Sequence, residues 1–394
     1  MDAENADKGG PLNASDPDAR VEAIRTAAAS QAGNPALWSQ LAREWRTLGR
    51  RGEELSALEH VLKLQPHNLD AMLRAGAIHE ARGEMPKAAA IYRTALAYVN
   101  PGLAMLPQQR AEIDHAKSMV ASNYVALENF LDRRLAQLRS RHPHEPLARF
   151  DRAMATLLRK RRVYRPMPSF LYFPNIPSVE FFEREDFPWL ASIEAATNDI
   201  RDELIAVIAE APSALQPYIT TKETPGVSVQ KAADARWEGL NDSPRWSSYF
   251  FWQEGLAYPE NIARCPKTVA ALQVWPRCDL PRTGPTAMFS LLDRKTRIPP
   301  HTGVTNARLV VHIPLIVPPG CGFRVGAETR QWESGTALVF DDTIEHEAWN
   351  DSDELRAVLI VDIWNPFLTS TERDLVRVLT DGVGEFYGPL PSYV

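Results

Sequence analysis

Residues 307–317, Ala307-Arg308-Leu-Val-Val-His312-Ile-Pro-Leu-Ile-Val317, and residues 355–364, Leu355-Arg356-Ala-Val-Leu-Ile-Val-Asp362-Ile-Trp364, decide the fold. Both runs are short, rich in β-branched residues and bounded by Pro, Gly, Asn or Asp, which is how strands read. Similar runs at 286–292, 322–327 and 336–341 are predicted strands. Turn residues separate them, not helical patterns. A series of short strands without a βαβ rhythm points to a jelly-roll or cupin-like barrel. Before the barrel, Asp186-Phe-Pro-Trp189 opens a helix with apolar residues at Leu190, Ile193, Ile200, Leu204 and Ile208. Residues 212–285 read as irregular. After the barrel, Thr369-Ser-Thr-Glu372 is a capping box that starts a last helix.

The front of the chain has a different period. At an offset of 34 residues, Trp38 faces Met72, Leu41 faces Ala75, Gly49 faces Gly83 and Leu62 faces Leu96. Pro66 and Pro101 close the two units, one residue out of register. A 34-residue helix–turn–helix unit with small residues at the crossing is similar to the tetratricopeptide repeat. Two such units cannot bury their faces alone, so residues 108–160 are expected to add a third, degenerate helix pair. The domains expected are a disordered leader at 1–20, a helical repeat domain at 21–165 and a strand-rich domain at 166–394. The fold class is multidomain α+β.

Composition sets the outer limits. Of 394 residues, 44% are hydrophobic and 24% charged, with a net charge of −6, which excludes wholesale disorder and a small disulfide-stapled scaffold. No stretch reaches 18 apolar residues, so no membrane span is expected. The polar, acidic start lacks the regions of a signal peptide. Cys265, Cys278 and Cys321 form no close pair, and a reducing cytoplasm is the simplest setting. Residues 133–165 hold ten Arg and Lys160 against Glu145 and Asp151. That run reads as a solvated helix face leading into a linker, with a patch for an acidic polypeptide or phosphates as the other reading. Aromatics for stacking bases are sparse there, so no nucleic-acid partner is expected.

The chemistry lies in the strands. His301, His312 and His346 each fall in or beside a strand, and imidazoles that share a barrel mouth can hold a borderline transition metal. Arg356 lies in an apolar strand. An inward guanidinium needs an anion, either Asp341, Asp342 or Asp362 of the chain itself or the far carboxylate of a dicarboxylate co-substrate. Two His and an inward Arg are what a non-haem iron oxygenase that uses 2-oxoglutarate requires.

In order and spacing, a set of segments resembles the aspartyl/asparaginyl β-hydroxylase family. They are Met288-Phe-Ser290, Ile298-Pro-Pro-His301-Thr-Gly303, Thr305-Asn306-Ala-Arg308-Leu, His312-Ile-Pro, Trp332-Glu-Ser-Gly335, Val339-Phe-Asp341-Asp342, Glu345-His346-Glu347-Ala-Trp-Asn350, Arg356 and Asp362-Ile-Trp364-Asn-Pro366. The resemblance implies a double-stranded β-helix, Fe(II) and 2-oxoglutarate. It implies that His301 and His346 bind the iron, with Gly303 where most such oxygenases carry a ligating carboxylate. Ser290 and Arg356 match the positions that hold the distal carboxylate of 2-oxoglutarate, and His312 the residue near its C1 carboxylate. Arg308 matches an arginine that grips a substrate carboxylate. Val310 stands where relatives carry a second arginine, and Arg294-Lys295 replaces a Pro-Gly. The activity implied is hydroxylation of the β-carbon of Asp or Asn in a peptide or protein, docked partly by the helical repeats. Two other readings remain: a hydroxylase of a small-molecule or lipid acyl chain, and a catalytically silent scaffold that binds through its repeats.

Overall fold

Asn34 and Asn68, one repeat apart, do the same job. Each side-chain oxygen accepts a backbone N–H in the first turn of the helix that follows, that of Ala36 in one case and of Ala71 in the other. The computed structural model describes residues 16–388 apart from 101, 103 and 221–234. The chain divides into two compact units, Met1–Lys160 and Arg161–Val394.

The first unit is helical: α1 (Pro17–Ser30), α2 (Pro35–Thr47), α3 (Arg51–Leu64), α4 (Leu69–Ala81), α5 (Met85–Ala97), α6 (Pro107–Arg141) and α7 (Ala148–Leu157). Helices α2/α3 and α4/α5 are the two repeats. Gly49 and Gly83 turn each hairpin at φ +69° and +76°, a conformation that costs glycine nothing. Within the second repeat the helices close tightly because Gly76 has no side chain; a Cβ there would lie 2.5 Å from the ring of Tyr92. Residues 1–15 and Pro101 lie outside the described residues. Residues 17–20 of the expected leader at 1–20 are helical. Asp16 caps α1, which begins at Pro17 and buries Val21, Ile24 and Ala28. Over 108–160 two helices do follow, of unequal length: α6 runs on for 35 residues and buries only Ile113 and Ala116, both near its start. The α7 segment folds back along its later turns through Arg139–Asp151 and Lys160–Glu128.

The second unit contains α8 (Leu190–Ala195), α9 (Thr197–Glu210), β1 (Gln216–Pro217), β2 (Trp246–Gln253), β3 (Leu256–Ala257), α10 (Pro259–Arg264) and α11 (Pro266–Ala271). It continues with β4 (Ala287–Leu292), β5 (Thr296–His301), β6 (Arg308–Ile316), β7 (Cys321–Val325), β8 (Glu328–Arg330), β9 (Leu338–Phe340), β10 (His346–Asn350), β11 (Arg356–Trp364) and α12 (Ser370–Tyr387). Among the described residues the strands form two antiparallel sheets. The larger has the order β1-β2-β4-β11-β6-β9, with β3 beside β2, and the smaller the order β5-β10-β7-β8. The two sheets make the expected double-stranded β-helix, which follows the helical repeats in the chain. Thr369 and Glu372 form the expected capping box of α12.

Side-chain alternation builds the layers. Odd-numbered residues of the central strands, Phe289, Leu291, Leu309, Val311, Leu359 and Val361, pack with Leu204 and Val207 of α9 in one core. Even-numbered residues, Met288, Leu292, Val310 and Val358, pack with Phe323, Val325 and Ala348 of the smaller sheet in a second core. Ser290, Arg308, His312 and Arg356 share the even face. Strand β2 corrects the expectation that 212–285 is irregular. Residues 246–251 are buried on both faces, so they show no polar alternation to read.

Candidate functional site

His346 on β10 lies directly opposite His301 on β5, and the ring centroids are 4.1 Å apart at 52°. Alternation alone would not place both rings inward. Ile298 faces the core, so His301, three residues on, should face away. The register shifts between His346 and Ala348: three steps along β5, from Ile298 to His301, answer two along β10. That bulge re-aims His301. The prolines 299 and 300 fit because β5 is an edge strand, where a missing N–H breaks no ladder.

Each imidazole is fixed by the backbone. His301 Nδ1 lies 2.8 Å from the carbonyl of Pro299, and His346 Nδ1 3.0 Å from that of Ile344. A carbonyl only accepts, so Nδ1 carries the proton in both rings and Nε2 keeps its lone pair. Burial, with the neighbouring His346, pushes His301 down to about 3; burial pushes His346 down to about 4. Both rings are therefore neutral near pH 7. Their edges line a cavity with about 570 Å³ of empty space, counted out to its open mouth, whose wall also includes Ser290, Val310, His312, Asp342 and Arg356.

Among the described residues no acid forms an ion pair with the arginine of this cavity. Arg356 is buried, and its Nη1 donates a long bond, 3.5 Å, to the carbonyl of Ser290. Its Nε has no hydrogen-bond partner among the described residues, and burial lowers its pKa to about 10, so the charge persists at neutral pH. The guanidinium carbon lies 4.9 Å from the centre of the Trp332 ring. Ser290 Oγ accepts the indole N–H of Trp246 at 3.1 Å, which leaves its own proton free to donate. His312 stands among Phe323, Phe340 and Trp332; burial and the Arg356 charge hold it well below its usual pKa. Its Nδ1 has no partner among the described residues.

Arg308 does not join the others at the cavity. It shares the inward face, but the chain's own acids take it: Asp342 at 3.3 Å and Asp362 at 3.7 Å, with a bond to the carbonyl of Thr283. The internal ion pairs considered for Arg356 are formed by Arg308 instead. Polar side chains near the imidazoles are engaged with other partners. Asp341 holds the Thr343 turn, Glu345 pairs with Arg324, and Asn350 ties strand ends together. Backbone carbonyls do the orienting.

Sequence reasoning passed over Trp246, which lies in the misread strand. Among the described residues Asp342 is the one acid that reaches the cavity. A Cβ on Gly303 would lie 2.1 Å from its Oδ2, so this carboxylate fills the place of a side chain at 303. Among the described residues no group of three or more His, Cys, Asp or Glu is arranged to hold a metal. The donor set is a pair of imidazoles. Two neutral Nε2 donors on one cavity suit a borderline divalent metal such as Fe(II), with its other positions left for exogenous oxygen ligands.

Residues 194–366 match the family model described as Aspartyl/Asparaginyl beta-hydroxylase. Curated relatives include the Aspartyl/asparaginyl beta-hydroxylase of Homo sapiens, 34% identical over 181 residues, 40% of this chain and 24% of the relative. Another is the Ornithine lipid ester-linked acyl 2-hydroxylase of Rhizobium tropici, 33% identical over 199 residues, 50% of this chain and 64% of the relative. The Aspartate beta-hydroxylase domain-containing protein 2 of Mus musculus is 28% identical over 214 residues, 52% of this chain and 57% of the relative. The chain spans about a quarter of the length of the human hydroxylase it matches. Residues 194–366, the part of the barrel unit that carries both imidazoles and Arg356, are thus similar to the aspartyl/asparaginyl β-hydroxylase family.

Proposed function

We propose that the barrel is an Fe(II)- and 2-oxoglutarate-dependent dioxygenase that hydroxylates the β-carbon of Asp or Asn in a peptide or protein. The observation that carries this reading is the pairing of two pre-oriented neutral imidazoles with a buried arginine that has no acid of its own. His301 and His346 would hold the iron through Nε2. When bound, iron would let O2 act as the oxidant, with one oxygen atom going to the 2-oxo acid, which leaves as succinate and CO2, and the other to an unactivated C–H of the substrate.

The chain's own residues orient and shield. Arg356 presents two N–H groups to the distal carboxylate, a fork that a carboxylate matches bidentately. Ser290 donates its proton to the same group. His312, kept neutral, offers a ring nitrogen near the C1 end. Met288, Val310, Phe323, Phe340 and Ile360 keep that end of the cavity apolar and exclude water. In the helical unit a groove lined by Arg43, Arg46, Asp70, Arg74, Glu112 and His115 offers polar contacts of both signs to part of a polypeptide. The three cysteines are free and buried, which fits a cytoplasmic setting.

A second reading has its own support. Arg308, expected to grip a substrate carboxylate, is already engaged by Asp342 and Asp362. The lipid acyl hydroxylase of Rhizobium tropici is covered over a larger share of its length than the human enzyme. An acyl chain needs no such grip. Incubation with Fe(II), ascorbate and 2-oxoglutarate should release succinate. Mass spectrometry of a cell's peptides and lipids, with and without the active chain, then finds the added oxygen on Asp or Asn or on an acyl chain. No iron-dependent succinate with any pool would leave the scaffold reading standing.

A further inference from the structure

A fully buried guanidinium ordinarily sits against a carboxylate, because an unpaired charge in an apolar interior is strongly disfavoured. Around Arg356 the acids go elsewhere. Asp342 and Asp362 pair with Arg308, and Asp341 binds the Thr343 turn. The guanidinium carbon instead stands over the face of Trp332, 4.9 Å from the ring centre. Trp332 is buried, stacks on Phe323 at 5.4 Å and 10°, and does not line the cavity. Its Nε1 has no hydrogen-bond partner among the described residues, so packing, not a polar anchor, sets the plane of its ring.

We propose that Trp332 is a positioning residue for the co-substrate: its π face stands in for a counter-carboxylate and keeps the Arg356 guanidinium charged, flat and uncommitted, with its donor edge left for the distal carboxylate of 2-oxoglutarate. A carboxylate in the same place would stabilise the charge but occupy the N–H groups. An aromatic face attracts the cation without taking a hydrogen bond. The inference rests on the reading of Arg356 given above.

The test is calorimetric binding to the full chain, loaded with Mn(II) under argon. One titrant is 2-oxoglutarate; the other is pyruvate, which keeps the 2-oxo acid end and lacks the distal carboxylate. In Trp332→Leu, 2-oxoglutarate should bind about tenfold more weakly or worse, while pyruvate stays within about twofold. Trp332→Phe keeps a face and should stay within about threefold for both. Unchanged 2-oxoglutarate affinity in Trp332→Leu overturns the proposal, and so does equal weakening of both ligands, which marks a general packing defect. Loss in Trp332→Phe as large as in Trp332→Leu overturns it as well. If Trp332→Leu does not fold, Trp332→Met fills the space without a face and is read the same way. Wild-type chain that binds 2-oxoglutarate no better than pyruvate shows instead that Arg356 holds no distal carboxylate, a failure visible before any substitution.

Discussion

The carboxylate of Asp342 occupies the space that a side chain on Gly303 would need: a Cβ built at 303 falls 2.1 Å from Asp342 Oδ2 and 2.3 Å from Cγ. The two residues are also joined through the backbone, Gly303 N–H to the Asp342 carbonyl at 2.7 Å. A third carboxylate ligand therefore cannot be added at 303 by substitution alone. Gly303→Asp should lower stability by about 2 kcal/mol or more, since overpacking costs about 1–3 kcal/mol and a second buried acid adds to it. It should not tighten metal binding. Urea denaturation and a Fe(II) titration check both outcomes. A stable variant with tighter metal binding would contradict the geometry.

His301→Ala and His346→Ala should each abolish iron binding and succinate release while leaving the barrel folded. Each removes one of two imidazoles whose Nε2 faces the cavity, and neither ring is a hub of the two large cores. Metal content after dialysis and far-ultraviolet circular dichroism read the two effects separately. Full turnover in either variant would remove the assignment.

Arg356→Lys should weaken 2-oxoglutarate by about ten- to a hundredfold, because a point charge replaces a fork and a charged hydrogen bond contributes about 1.5–3 kcal/mol. Ser290→Ala should weaken it less, about fivefold, the loss of one neutral hydrogen bond. The order of the two effects, measured as KM for 2-oxoglutarate, is the outcome to check.

Asp341→Asn gives a pH signature. Burial raises the folded carboxyl to about 7, and two bonds from Thr343 only partly oppose the shift. A raised folded pKa stabilises below the unfolded value, about 3.9, and the benefit is lost as pH rises through 7. Asparagine keeps an oxygen for both Thr343 bonds and cannot ionise. The stability of Asp341→Asn relative to wild type should therefore rise between pH 4 and 7 and level off above, by about 1 kcal/mol or more across the window. Melting curves at pH 5 and pH 8 suffice. A difference that does not change with pH would show that Asp341 is ionised in the fold at both values.

Gly76→Ala should destabilise the helical unit. Gly to Ala inside a helix normally gains about 1 kcal/mol. Here the added Cβ would meet Tyr92 Cε1 at 2.5 Å, and overpacking of that kind costs about 1–3 kcal/mol. The clash is expected to win, seen as a lower melting midpoint for the repeats. A raised midpoint would mean that the Tyr92 ring moves aside freely.

Much of this protein was legible in the residues themselves. The capping box at Thr369 and Glu372, hairpin glycines at 49 and 83, and short β-branched runs such as 307–317 carry local signals, because propensity, capping and turn chemistry act over a few neighbours. The strand at 246–253 carried no such signal, because a strand buried on both faces shows no alternation. The inward turn of His301 depends on a register shift against a strand 45 residues away in the chain, which no local pattern encodes. Which arginine keeps a free fork was likewise a tertiary outcome. Arg308 and Arg356 both lie on inward strand faces, yet folding brings Asp342 and Asp362 to the first and an indole face to the second. Sequence fixed the residue types, but only the packing of distant strands decided which charges meet, because pairing is set by distances between groups that the chain itself does not link.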